Sequence, residues 1–142
     1  MRAQLLQVHW LMFKEHPFFG IGYWESYRQI ADYWPKMGLP SNYIETHSHN
    51  QYLNVLATTG VFGFCFFIAI MFFILRKSFQ LVRCTSPNTL FNAFSVAFFV
   101  TLIQFYLACL TDVSFEYAKV RGIWLLAAAG CLSLAKRNAH TQ

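Results

Sequence analysis

The sequence predicts an all-α, polytopic membrane protein with about three transmembrane helices, preceded by a helical loop region. Three observations carry that expectation. Of the 142 residues, 56% are hydrophobic and only 12% charged, too apolar a mixture for an ordinary water-soluble domain. The apolar residues are concentrated after position 51, in stretches close to the ~20 residues that a helix needs to cross a hydrocarbon core. Basic residues gather mainly at the ends of those stretches.

Two regions follow, a loop region over 1–50 and a membrane region over 51–142. The first span, 53–75, stops at Arg76-Lys77. The second, 89–111, is interrupted only by Asn92, Ser95, Thr101 and Gln104, and the third, 116–135, stops at Lys136-Arg137. Pro17, Gly20, Gly22, Pro35, Gly38 and Pro40 punctuate the loop region, leaving room for short helices near 3–15 and 24–33. The first should end at His16-Pro17, because the residue before a proline avoids helical backbone angles. Aromatic residues, among them Phe18, Phe19, Tyr23, Trp24 and Tyr27, are too frequent here for disorder and suit a packed surface or a headgroup layer.

Orientation follows from Arg76, Lys77 and Arg83 after the first span and Lys136 and Arg137 after the third, which belong in the cytoplasm. Residues 1–50 and the turn TDVSFEYAKVRG then face outward, towards the periplasm if the cell is Gram-negative; Lys119 and Arg121 in that turn run against the trend. Nothing early in the chain would drive export of residues 1–50, so upstream spans are expected and the chain reads as the C-terminal piece of a larger protein.

The formal charge is +5, but no Lys/Arg run tracks a phosphate backbone, and nucleic-acid binding is not expected. Cys65, Cys84, Cys109 and Cys131 lack C-x-x-C spacing, and those in apolar stretches read as small buried hydrophobes.

Chemistry concentrates in HSHNQYLNVLATTGVFG, where a polar segment meets the first span. His49 there is an ionisable side chain at a membrane boundary, and an imidazole can take a proton from a hydroxyl at neutral pH. Asn50 can orient the ring or a sugar hydroxyl. Gly60 and Gly63 remove bulk from one helix face, so that another helix or a lipid-linked substrate can approach. The structural alternative is a His-Asn cap at a helix start with glycines used for packing alone. His47 and His49 share a face only in a strand, and no third ligand is suitably spaced, so no metal is expected. Arg2 and Arg28 offer guanidinium forks suited to phosphate, though Arg28 also reads as a paired surface charge. Asp112 and Glu116, at the outer mouth between spans, can pair with Lys119 or Arg121 or support His49.

These residues resemble the O-antigen ligase and polymerase superfamily, membrane glycosyltransferases acting on undecaprenyl-pyrophosphate-linked glycans. His49-Asn50, nine residues, then Gly60-x-x-Gly63 fits that family's motif in full. Upstream, EHPFFGIG looks like its segment around a proline and two glycines, and Arg2 stands fifteen residues before Pro17, where the family commonly has an arginine. The resemblance implies His49 as general base on an acceptor hydroxyl and Arg2, more weakly Arg28, on the departing pyrophosphate. It implies no metal and no other cofactor, and a bacterial inner-membrane location. Implied partners are the undecaprenyl-pyrophosphate-linked glycan, lipid A core or another hydroxyl acceptor, membrane lipids and the missing N-terminal half. Thr58 stands where many members carry an acid, so no role is borrowed from that carboxylate. A repeat-unit polymerase, a protein oligosaccharyltransferase and a non-enzymatic or truncated membrane protein remain as other readings.

Overall fold

The computed structural model describes residues 2–38, 48–87 and 89–112, with Gly122, Trp124, Leu125, Ala129 and Gly130 beyond them. The described residues are mainly helical, with no strand among them. They fall into two compact units, Met1–Ile68 with Cys109–Val113, and Ala69–Ala108 with Ser114–Gln142.

In the first unit, α1 (Arg2–Glu15) contains neither glycine nor proline, and its Leu5, Val8, His9 and Met12 recur at helical spacing to give one buried face. It ends before Pro17, as the sequence predicts. Gly22, at φ +97°, leads into α2 (Tyr23–Tyr33), which buries Ser26, Ile30 and Tyr33. A single 3-10 turn over Pro35–Met37 closes on Gly38 in a left-handed conformation. Leu5, Val8, Met12, Ile30, Tyr33, Trp34 and Ala57 form the core of this unit. At its edge the Tyr33 hydroxyl donates to the Glu15 carboxylate at 2.6 Å, and Lys36 reaches the same carboxylate at 3.0 Å.

The helix α3 (Gln51–Cys84) begins two residues before the expected span and continues nine residues past Leu75. Arg76 and Lys77 end the apolar stretch but not the helix, because both are good helix formers. The Lys77 ammonium lies 5.9 Å from the Phe73 ring and the Arg83 guanidinium 5.3 Å from Phe79, so their stems stay on the helix surface. In the second unit α3 and α4 (Leu90–Ala108) run antiparallel: Tyr106 donates to the Met71 carbonyl at 2.9 Å, Leu102 shares a core with Ile74, and Phe99 stacks near Phe79. Thr89 caps α4 by accepting from the Asn92 amide at 3.1 Å.

Both α3 and α4 are long and apolar enough to cross a membrane, and most of their surface is not covered by protein. A buried helix of a soluble core would be covered, so this exposure favours lipid as the surrounding medium. Cys109 is buried as expected, but Cys65 is exposed on α3: a residue facing lipid is apolar without being covered by protein. The expected third span lies mostly outside the described residues, as does Cys131; Gly122, Trp124, Leu125, Ala129 and Gly130 are helical.

Candidate functional site

Three separate pieces of chain meet around His49. Ser48, Asn50 and Gln51 build the entrance of α3. Asn50 is its cap: the side-chain Oδ1 accepts from the Leu53 amide at 2.9 Å, and the backbone carbonyl accepts from Asn54 at 3.0 Å. The buried Ser48 hydroxyl donates to the Asn50 carbonyl at 2.7 Å and accepts from the Asn50 amide at 3.2 Å. Between them His49 is held at φ +50°, the left-handed region that side chains with a Cβ seldom occupy.

The segment following α4 supplies acceptors. The Gln51 amide donates to the Cys109 carbonyl at 2.8 Å, and Asn50 Nδ2 donates to the Leu110 carbonyl at 3.1 Å. Arg2, at the start of α1, completes the arrangement: its Nη2 donates to the His49 carbonyl at 3.2 Å and also to the Thr111 carbonyl. One guanidinium therefore ties the histidine backbone to the segment after α4. Asp112 comes next, half-buried, and its charge adds to burial in pushing the Cys109 thiol up to about 11. Cys109 is thus a protonated packing group, not a nucleophile.

The second motif has a mechanical basis. At Gly60 α3 breaks, with φ +66° and ψ −170°. A broken helix leaves carbonyls and amides without intrahelical partners, and the Pro17–Gly22 loop pairs with them. Ile21 and Gly22 donate to the carbonyls of Ala57 and Thr58 at 3.0 and 2.9 Å, while Val61 and Phe62 donate to those of Pro17 and Phe18 at 2.8 and 3.4 Å. Gly20 and Gly60 make this approach possible: a Cβ on Gly20 would overlap the Thr58 backbone, and one on Gly60 the Phe18 backbone. A Cβ on Gly63 would overlap the Thr59 side chain. The close approach that the sequence leaves to another helix or a lipid-linked substrate is taken at Gly60 by a loop of the same chain.

The remaining expected residues distribute as follows. Arg28 is 79% exposed at its side chain and pairs with Glu25 on its own helix at 3.6 Å. His47, Glu116, Lys119 and Arg121 lie outside the described residues. Among the described residues no three His, Cys, Asp or Glu side chains gather closely enough to hold a metal. Ser48 and the carbonyls of Cys109, Leu110 and Thr111 were not singled out by the sequence; a backbone acceptor leaves no residue-type signature.

The described residues thus define a helical protein of membrane type, with a histidine-bearing entrance and a glycine-broken span. Residues 1–68 match the family model described as O-antigen ligase, a stretch that holds Arg2, the Pro17–Gly22 loop, His49-Asn50 and both glycines. That match agrees with the O-antigen ligase-like resemblance and points to ligase- or polymerase-type membrane function as the class. No curated protein and no solved structure matches the chain significantly.

Proposed function

We propose that this chain carries the histidine-bearing part of a membrane glycosyltransferase that moves an undecaprenyl-pyrophosphate-linked glycan to an acceptor hydroxyl, such as one on lipid A core. The carrying observation is the convergence of Arg2 on His49 at the entrance of an apolar helix, within the stretch that matches the O-antigen ligase model. In this reading His49 removes the proton from the acceptor hydroxyl as its oxygen attacks the anomeric carbon. The bond from that carbon to the pyrophosphate oxygen breaks, with inversion, and the lipid pyrophosphate leaves with the bonding electrons.

Arg2 serves twice. A guanidinium has five N–H donors, and the two bonds to carbonyls both use Nη2, which leaves Nη1 and Nε for pyrophosphate oxygens. Charge developing on the leaving group is then met by a cation already fixed in place, which is how preorganised donors lower a barrier. Arg28 has the weaker claim because Glu25 already neutralises it. The entrance lies on the extracytoplasmic face of the inner membrane in this reading, with Asp112 supporting the site from beside Cys109.

The test uses the full-length protein in membranes supplied with lipid-linked glycan and acceptor. Asparagine tolerates the left-handed backbone, so His49→Asn removes the base and leaves the turn. Transfer should disappear while the protein still inserts; transfer at the unmodified rate rejects His49 as base.

A further inference from the structure

The loop between α1 and α2, with the first two residues of α2, is apolar for eight residues, Pro17 to Trp24, and is bounded by Glu15-His16 on one side and Glu25 on the other. Its aromatic side chains do not pack inward. Phe18 is 61% and Phe19 79% exposed, and both lie against Phe62 of α3, itself largely exposed, with ring centroids 6.2 and 5.5 Å away. A water-facing loop gains nothing by presenting two phenylalanines.

The depth of this loop follows from its hydrogen bonds. Counting back from Leu75, the last residue before Arg76-Lys77, a hydrocarbon-spanning length of ~20 helical residues begins near Leu56. Val61 and Phe62, whose amides donate to Pro17 and Phe18, then lie roughly 8 Å inside that boundary at 1.5 Å per residue. Non-helical backbone is tolerated at such depth only where protein satisfies it. Here α3 does so: Pro17 and Phe18 use their carbonyls, and Ile21 and Gly22 their amides, on the broken turn, and Gly20 donates to His16. Farther along, Tyr23, Trp24 and Tyr27 form a ring cluster on the first turns of α2, interleaved with the Glu25–Arg28 ion pair. Phenylalanines on the segment bonded to the spanning helix, followed along the chain by tyrosine and tryptophan beside charged residues, match the change from hydrocarbon to headgroup layer.

We propose that the Pro17–Gly22 loop is set into the bilayer, with Phe18 and Phe19 among lipid acyl chains and the Tyr23-Trp24-Tyr27 cluster of α2 at the headgroup level. The loop then fixes the height of the α3 entrance relative to the membrane surface. The occupant is the bulk bilayer, so immersion needs no polyprenyl lipid.

The full chain in phosphatidylcholine vesicles tests this. A nitroxide is placed at Phe19→Cys, with Phe66→Cys as hydrocarbon reference and Arg28→Cys as water reference, after replacing Cys65, Cys84, Cys109 and Cys131 by alanine. Collision with oxygen relative to a nickel chelate should be several-fold higher at Phe19 than at Arg28 and close to that at Phe66. A ratio like that of Arg28 overturns the proposal, as does shielding from both reagents, which means that protein covers the loop. The unsubstituted chain provides a second measurement, photolabelling by a diazirine-bearing phosphatidylcholine. Adducts on the peptide containing Phe18 and Phe19 are expected. Their absence while the peptide containing Phe66 is labelled overturns the proposal, as does labelling that appears only when a polyprenyl phosphate is added.

Discussion

The carbonyl of Phe18 occupies the space in which a side chain on Gly60 would begin. Two parts of the sequence separated by more than forty residues are thereby a single structural device, in which a glycine break opens α3 and a glycine-bearing loop closes the gap.

Gly60→Ala should consequently cost more than a helix-interior exchange normally does. The backbone at φ +66° and ψ −170° is a region essentially reserved for glycine and alone penalises alanine by roughly 1–3 kcal/mol, and here the added Cβ also meets backbone that cannot rotate away. Loss of at least about 2 kcal/mol is expected, from the strain together with loop bonds broken in relieving it. Unfolding monitored by circular dichroism in detergent measures it. Stability equal to the unmodified chain would mean that the loop and the break are not coupled.

Gly63 tests the next turn. Its added Cβ would meet both Cβ and Oγ1 of Thr59, so Gly63→Ala should destabilise and Thr59→Ala should fail to rescue it, because the clashing Cβ remains. Thr59→Gly removes that atom and should restore part of the loss, offset by about 1 kcal/mol for glycine in a helix. A double-mutant cycle in the same unfolding assay reads the coupling.

Much of this arrangement was legible in the sequence for definite reasons. Pro17 and the glycines around α2 mark the ends of two helices, and the apolar stretches mark α3 and α4. The continuation of α3 to Cys84 was not legible, because arginine and lysine end a hydrocarbon span without disfavouring a helix. Nor was the break, since Gly60 within LATTGVFG reads equally well as a small residue on a continuous helix. The loop that fills the break bonds through amides and carbonyls common to every residue type, and so do the acceptors from Cys109 to Thr111. His49 and Asn50 stood out because their side chains can carry chemistry, and Arg2 because of the family resemblance; their mutual placement came only from the folded backbone.

Asn50 does two jobs that substitution separates. Asn50→Asp keeps an acceptor for the Leu53 amide but sets an oxygen against the Leu110 carbonyl in place of a donor. Asn50→Ala loses both bonds and should destabilise by about 1–2 kcal/mol, the usual cost of removing such a cap. The aspartate variant should therefore keep the α3 entrance protected from amide exchange at Leu53 while losing protection around Leu110. Equal loss at both places in the two variants would contradict separate roles.

Arg2 should resist conservative replacement. Lysine keeps the charge but offers a compact ammonium, unable to reach two carbonyls and a phosphate with fixed planar geometry. Arg2→Lys and Arg2→Ala should both raise amide exchange over residues 48–51, and in a transfer assay lysine should recover only a minor part of the rate lost with alanine. Full activity of Arg2→Lys would reduce the arginine to a general positive charge.

The pH dependence of the first unit is set by a carboxylate and a phenol at its edge. The Tyr33 hydroxyl, and after it Lys36, hold the Glu15 carboxyl below its ordinary value near 4.5. A group bound more weakly to its proton in the folded state contributes stability that is complete above the ordinary value and is lost as pH falls through the lowered one. Tyr33 moves the opposite way: burial first, then the bond to Glu15, raises it well above its ordinary value of 10.0. Its contribution is complete below that value and is lost as pH rises beyond it, because the unfolded phenol ionises first. Helix content should accordingly weaken at both extremes, modestly on the acid side because Glu15 is solvent-screened. Tyr33→Phe should shrink the alkaline limb, leaving the part that the buried Cys109 thiol contributes, and flatten the acid one, with Lys36 still holding Glu15 in part. An alkaline limb unchanged in Tyr33→Phe would assign that transition to another group.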